Sequence, residues 1–344
     1  MLDFNNYVEK TIHLNNREER EQIERFLRQN SLRLENDIEY SFALYDGERM
    51  VATGSFSSNV LKCIAVDSGY EGMGMAGKVL SRLVTEEFRR GRTHLFIFTK
   101  PENVGIFKEM GFYEISRVPL KVALMENIPD GISGFTHRLK KNKKPGRAVG
   151  SIVVNANPFT KGHKYLVEKA SMECDWLHIF VVWEDRSVFP PEVRYRLVKE
   201  GIKHLKNVTV HKGKDYIISN ATFPTYFLKQ PDEAVKIQSV LDIKIFQQHI
   251  APALGINRRY VGEEPYCPVT IIYNQSMKEM LPDRGIEVFE ISRKSLGGFA
   301  ISASRVRKLL REGELNLVKE MVPDTTFAFL NSEDALSILD KIKN

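Results

Sequence analysis

The stretch Asn155-Ala-Asn157-Pro-Phe159-Thr160-Lys161-Gly162-His163 decides how the chain is read. It follows the apolar run Ile152-Val153-Val154 and precedes KYLVEKASMEC, whose apolar spacing is helical. A strand that runs through a turn into a helix is where a parallel α/β sheet places its ligands. Gly162 lets a phosphate approach the backbone closely, and the helix start brings partial positive charge. Lys161 and His163 bring donors for phosphate oxygens. Taken alone, the stretch also reads as a plain strand–helix turn.

Three more segments bear on the choice. ISASRVRKLL, from Ile301 to Leu310, starts after the Gly297-Gly298 turn and reads as a helix start. Ser302, Ser304, Arg305 and Arg307 cluster there. An ordinary serine cap is one reading, but a capping box would place Glu or Gln at 305, where Arg stands. Hydroxyls, backbone amides and arginines at one helix N-terminus form an anion site. VGEEPYCPVTIIYN, from Val261 to Asn274, sets Glu263 and Glu264 directly after a strand run. That pair is either a solvated acidic turn or a group that bonds ribose or adenine, or holds Mg²⁺ through water. WEDRSVFPPEVRYRLV, from Trp183, adds Asp185, Ser187 and Arg194 at a ligand-side position, with Arg194 equally readable as a surface residue.

Around these motifs, apolar strand runs alternate with helices: AVGSIVV, WLHIFVVW, VTV, RRYVG and IEVFEI are separated by helical patterns. Continuous apolar strands in that alternation predict a parallel sheet covered on both faces. The tail SEDALSILDKI predicts a closing helix. The first part reads as α+β. Arg17 to Asn30 carries Ile23, Phe26 and Leu27 at helical spacing, and Asp46-Gly47 between apolar runs predicts a hairpin. The division predicted is 1–135, a basic linker 136–147, and 148–344.

Gly72-Met-Gly74-Met-Ala76-Gly77 matches GxGxxG. A Rossmann site is excluded by context, because DSGYE intervenes after the strand LKCIAV and no acidic residue ends the next strand.

Bulk composition narrows the class. The chain has 344 residues, 42% hydrophobic and 27% charged, as in soluble globular proteins. No apolar run approaches the ~20 residues of a membrane span, and the polar N-terminus has no apolar signal core. Cys63, Cys174 and Cys267 are the only cysteines and lie far apart, which excludes a CxxC metal framework and fits a reduced, cytoplasmic protein. Net charge is +6, partly from HRLKKNKKPGR at 137–147. No aromatics interleave with those lysines, so the reading is a solvated linker rather than a nucleic-acid surface.

The motifs carry a resemblance. TKGH resembles the HxGH signature of nucleotidyltransferases, with Thr160 in place of the first His and Asn157 in place of the usual Asp. ISASRVR resembles the ISSTxxR motif of the same superfamily. In the first part, Glu71-x-x-Gly74-x-Ala76, a long helix, a strand, Asn103 and then Gly111-Phe112 resemble the GNAT acyltransferase fold, with Glu71 where Gln or Arg is usual. Together, over essentially the whole chain, these resemble the citrate lyase ligase family. The fold implied is a GNAT-like α+β domain followed by a Rossmann-like, cytidylyltransferase-like parallel-sheet domain.

The resemblance implies an acid–thiol ligase. It would use ATP, Mg²⁺ and acetate to acetylate the thiol of a CoA-like prosthetic group on the acyl carrier (gamma) subunit of citrate lyase, through acetyl adenylate. It implies catalytic roles for His163, Lys161 and Thr160. ATP contacts are implied at Asn155, Asn157, Phe159, Gly162, Glu263, Glu264, Ser302, Ser304 and Arg307. An acyl or pantetheine groove is implied at Gly72, Gly74, Ala76 and Asn103. No protein-held metal, nucleic acid or membrane is expected. The rival readings are a simple nucleotidyltransferase acting on a phosphorylated cofactor precursor, a GNAT acetyltransferase with a nucleotide-sensing domain, and a non-catalytic ATP-binding regulator of the lyase.

Overall fold

The computed structural model describes residues 7–184, 186–217, 231–265 and 267–343. The chain divides into two compact units, Met1–Gly131 with Pro224–Ile237, and Ile132–Phe223 with Gln238–Asn344.

The first unit is α+β, as its sequence grammar predicts. Its elements are β1 (Tyr7–Ile12), α1 (Arg17–Gln29), β2 (Tyr40–Asp46), β3 (Arg49–Ser57), β4 (Val60–Val66), α2 (Met75–Arg89), β5 (Phe96–Thr99), α3 (Val104–Glu109), β6 (Tyr113–Val118) and β7 (Val122–Glu126). Asn16 caps α1 by accepting from the Glu18 N–H at 2.9 Å, and Ile23, Phe26 and Leu27 form its buried stripe. The expected β2–β3 hairpin is present, and its turn lies one residue on, at Gly47 and Glu48 between the paired Asp46 and Arg49, with Gly47 at φ +57°. The strands lie in the order β1-β2-β3-β4-β5-β7-β6. β4 and β5 are parallel neighbours that pair only at Val60↔Phe96 and Leu61↔Ile97. Beyond that point they diverge, and a slot of about 160 Å³ opens, lined in part by Ile64, Ala65, Phe98, Thr99 and Asn103.

Helix α4 (Gly131–Lys140) buries Phe135 and Leu139, and the Phe135 ring lies 4.9 Å from that of Tyr216. The basic segment 136–147, read from sequence as a linker, therefore begins inside a packed helix. Its lysines are on the surface, but two apolar side chains one helical turn apart anchor that helix.

The second unit is a parallel sheet with helices on both faces. It contains β8 (Val149–Val154), α5 (Lys161–Met172), β9 (Trp176–Val181), α6 (Pro191–Gly201), β10 (Val208–Lys212), α7 (Pro231–Ile245, whose first residues belong to the first unit), α8 (Ala251–Leu254), β11 (Arg258–Gly262), α9 (Pro268–Met280) and β12 (Glu287–Ile291). A short hairpin follows, β13 (Ser295–Leu296) and β14 (Phe299–Ala300). Four helices end the chain: α10 (Ala303–Glu312), α11 (Leu315–Met321), α12 (Asp324–Leu330) and α13 (Leu336–Lys343). The last contains most of the predicted closing helix.

The strand order is β10-β9-β8-β11-β12. The chain steps outward from β8 to β10, then returns to the other side of β8 for β11 and β12. That reversal makes the carboxyl ends of β8 and β11 the place for a ligand. β8 and β11 pair only at Gly150↔Arg258 and Ser151↔Arg259, so they are open to each other toward those ends. One face of the sheet packs Ile152, Val154, Leu177, Ile179, Val181 and Tyr260 against the flanking helices.

Candidate functional site

A cleft of about 580 Å³ lies at this switch point. Asn155, Asn157, Thr160, Gly162 and His163 reach it from the β8–α5 connection, and Glu264 from the end of β11. Ser302, Ser304 and Arg307 reach it from the start of α10. Segments almost 150 residues apart in the sequence thus line one cavity.

Two helix N-termini meet at its floor. Thr160 caps α5, and Ser302 caps α10 by accepting from the Arg305 N–H at 3.3 Å. Ser302 is therefore the helix cap that one sequence reading gave, and it also lines the cleft. A Cβ on Gly162 would stand 2.7 Å from the Ile301 carbonyl oxygen, so only glycine allows the helix starts this close. Amide dipoles from both helices point toward the same space, which favours an anion there.

His163 is held in a defined state. The Thr160 backbone N–H donates to Nδ1 at 3.1 Å, and the Thr160 hydroxyl lies 3.0 Å from the same nitrogen. The His163 N–H donates back to Thr160 Oγ1 at 3.3 Å, completing a capping box with His at its third position. Because Nδ1 accepts, the ring proton is on Nε2. Burial, with the nearby Arg293 guanidinium, pushes the pKa down to about 4. Near neutral pH, His163 is an uncharged imidazole whose Nε2–H is a donor. The Thr160 hydroxyl, read from sequence as a phosphate donor, is engaged in orienting this ring.

Other expected residues fall elsewhere. Phe159 is 0% exposed and belongs to the apolar core, where it supports the His163 ring at 5.8 Å and near-parallel. Lys161 turns away from the cleft, and its ammonium donates to the Lys319 carbonyl at 3.2 Å. Glu263 is exposed and off the cleft wall, and its carbonyl accepts from Arg293 Nε at 2.6 Å. Glu264 is on the wall and is ion-paired to Arg293. In the first unit, Asn103 lines the β4–β5 slot, whereas Gly72, Gly74 and Ala76 lie at or before the start of α2 and are not on it.

Arg194 is no surface residue. It is 0% exposed, and its guanidinium donates to the carbonyls of Phe189 (2.9 Å), Asn155 (3.1 Å) and Val182 (2.7 Å), and also to that of Glu184. Glu184 in turn accepts from the Ser187 N–H at 3.1 Å, and Asn155 Nδ2 donates to Ser187 Oγ at 3.2 Å. This knot ties the loop after β9 to the loop after β8 and so fixes Asn155 on the cleft wall. Asp185 lies outside the described residues.

Arg293 and Lys294, which come just after Ser292 at the end of β12, also line the cleft. The sequence signal was present: they are basic residues at the carboxyl end of a parallel strand, the same position that marks the other loops. Among the described residues no group of three or more His, Cys, Asp or Glu side chains is arranged to hold a metal ion, and no helix is long and apolar enough to cross a membrane.

Residues 149–330 match the family model described as the citrate lyase ligase C-terminal domain. The chain is 44% identical over 321 residues to a citrate (pro-3S)-lyase ligase of Klebsiella pneumoniae, covering 92% of this chain and 94% of that one. It is 40% identical over 316 residues to the protein of the same name from Escherichia coli, covering 90% of each. A shorter similarity, 39% over 64 residues, links it to a phosphopantetheine adenylyltransferase of Streptococcus sanguinis, covering 18% of this chain and 39% of that one.

Proposed function

The chain belongs to the citrate lyase ligase family, a family of acid–thiol ligases, and from that premise we propose that it activates citrate lyase by ATP-dependent acetylation of a carrier thiol. MgATP and acetate enter the cleft of the second unit. An acetate oxygen forms a bond to the α-phosphorus, the α–β bridging bond breaks, and its electron pair leaves with pyrophosphate. The carrier thiolate then attacks the acyl carbon of acetyl adenylate, and AMP departs with the electron pair of the broken C–O bond. Mg²⁺ is part of the substrate here, bound by phosphate oxygens.

One observation carries this reading: the neutral Nε2–H donor of His163 shares a cleft with Ser302, Ser304 and Arg307 where two helix N-termini converge. Charge building on the α-phosphate meets fixed donors that need no reorganisation during the step. No protein nucleophile is needed, because in-line transfer at phosphorus depends on positioning and charge stabilisation. Arg307 is anchored to the Asn157 carbonyl, which holds its guanidinium at the cleft wall.

For the first unit we propose that the β4–β5 slot takes the arm that carries the acceptor thiol. The slot is lined mostly by apolar side chains, with Asn30, Thr99, Lys100 and Asn103 as its polar ones.

The test is to mix the full chain with MgATP, acetate and deacetylated citrate lyase, and to follow AMP, pyrophosphate and lyase activity. Acetate-dependent AMP release with lyase activation is expected. AMP release that ignores acetate sinks the proposal.

A further inference from the structure

A buried charged cluster ties β4 to the segment between α1 and β2. The Lys62 ammonium, on a residue 2% exposed, donates to Glu35 Oε2 at 2.8 Å and to Asp37 Oδ2 at 2.8 Å. The neighbouring Cys63 thiol donates to the Arg33 carbonyl at 3.4 Å, and burial pushes its pKa up, so it stays a protonated donor. Three ties thus run from two consecutive residues of β4 to residues 33–37, which lie outside any helix or strand. A buried ion cluster is a weak source of stability, because desolvation offsets its attraction. What it fixes here is where this strap lies.

The ties begin where β4 bulges. Thr53 pairs with Ala65 and Ser55 with Lys62, so Gly54 alone faces Cys63 and Ile64, and Cys63 takes φ +55°. Cys63 and Ala65 pack with the α1 stripe, and Ile64 packs with α2. Ile64 and Ala65 line the β4–β5 slot, and so do Asn30 and Leu32, which lead into the strap. Part of the slot wall therefore comes from a segment whose position depends on Lys62. Lys62 itself is not on that wall, so it acts through the strap.

We infer that Lys62 is a positioning residue for the acceptor. Its two ion pairs pin the strap across β4, and the pinned strap keeps Asn30 and Leu32 in place for the thiol-bearing arm. The inference rests on the reading of the slot given above and names what holds that slot in shape. Without the ammonium, two carboxylates stand side by side and repel. Their side chains are already 15% and 25% exposed, so water takes them readily and the strap moves outward.

The test compares Lys62→Met with wild type in the full chain. Acetate-dependent exchange of labelled pyrophosphate into ATP reports the nucleotide cleft, and the KM for deacetylated citrate lyase reports the acceptor. The exchange rate and the kcat for lyase activation should stay at wild-type values. The KM for the lyase should rise about tenfold, as when the competent arrangement falls to a tenth of the population. Amides of residues 33–37 should exchange hydrogen faster. Glu35→Gln with Asp37→Asn strips the buried ammonium of both anions through changes on the part-exposed strap, and should raise the KM in the same way even if Lys62→Met fails to fold. The triple variant has neither the repulsion nor the stranded ammonium and should regain part of the lost affinity, whereas general damage would only deepen the loss. An unchanged KM in both the single and the double variant overturns the inference, as does a KM that rises while exchange falls. Asn103→Trp, which crowds the slot after β5, tests the slot itself. An unchanged KM there sinks the slot reading, while hydrogen exchange in Lys62→Met still decides whether the lysine pins the strap.

Discussion

The backbone N–H of Thr160 donates to Nδ1 of His163 at 3.1 Å, and this bond assigns the histidine its proton. With Nδ1 accepting, only Nε2 can donate toward the cleft. Thr160, where the resembling signature has His, thus bonds to the neighbouring ring and fixes its tautomer.

Removing that ring should remove the donor without disturbing the cleft's other walls. His163→Ala is expected to slow acetate-dependent adenylylation by about 10²–10³, the range for losing one preorganised donor. The KM for acetate should stay close to wild type. The folded pKa of about 4 lies below the ordinary value, so the imidazole stays neutral from pH 8 down to about 5. No limb of the rate profile in that window should then belong to His163. Nitrogen NMR of the folded chain should report a protonated Nε2 and an unprotonated Nδ1. A titration of His163 near pH 6.5 would refute the assignment.

Gly162 sets the spacing of the two helix starts. In Gly162→Ala the new methyl meets a backbone oxygen, which cannot rotate aside as a side chain does. Relief requires α5 and α10 to part by a few tenths of an ångström or more. Overpacking of this kind costs about 1–3 kcal/mol. Misplaced catalytic groups cost on the order of 100-fold in rate. The expected outcome is a variant that folds, melts a few degrees lower and adenylylates about 100-fold more slowly. Wild-type exchange at wild-type stability would show that the contact is slack.

The residues that were legible in the sequence are those whose role is local. Apolar strands at 152–154 and 176–181, the Asp46-Gly47 hairpin signal, and the glycine and hydroxyls at the starts of α5 and α10 signal their roles within a few neighbours. The residues that were not legible take their roles from partners far along the chain. Lys161 looks like a phosphate ligand until the Lys319 carbonyl, 158 positions away, draws its ammonium aside. Glu264 looks like a free carboxylate until Arg293 neutralises it. Arg194 looks like any exposed helix residue because its acceptors are carbonyls, which no side-chain pattern displays. Phe159 sits inside a polar motif, yet it faces the core under α6, where a Cβ on Gly201 would strike its ring at 2.5 Å.

Arg194 gives a direct test of that buried knot. Arg194→Met fills similar volume but takes the guanidinium donor from four carbonyls and the paired cation from the Glu184 carboxylate. Stripping one partner from a buried charge pair costs about 3–5 kcal/mol. The unfolding free energy from urea titration should fall by that amount at unchanged slope, and the midpoint should drop in proportion. Arg194→Lys should recover only part, since an ammonium cannot span carbonyls on two loops as a planar fork does. A loss below about 1 kcal/mol in the methionine variant would mean that other contacts hold the Asn155 loop.

His178 on β9 and His211 on β10 are buried side by side, Nδ1 to Nε2 at 2.9 Å. Burial pushes His178 down to about 4, with Lys144 adding to it, and His211 down to about 3, with His178 adding to it. In the unfolded chain both return to about 6.5. Below pH 6.5 the unfolded state therefore binds protons that the folded state refuses, and stability falls as pH falls until the folded values are reached. At pH 5 the loss is on the order of 2 kcal/mol for each buried histidine, relative to pH 8. Replacing both, as in His178→Gln with His211→Gln, should flatten the curve between pH 6.5 and 4, because an amide keeps a hydrogen bond and has no proton to gain. Chemical denaturation of both proteins across that range measures the difference directly. A double variant with the wild-type slope would place the acid sensitivity elsewhere in the chain.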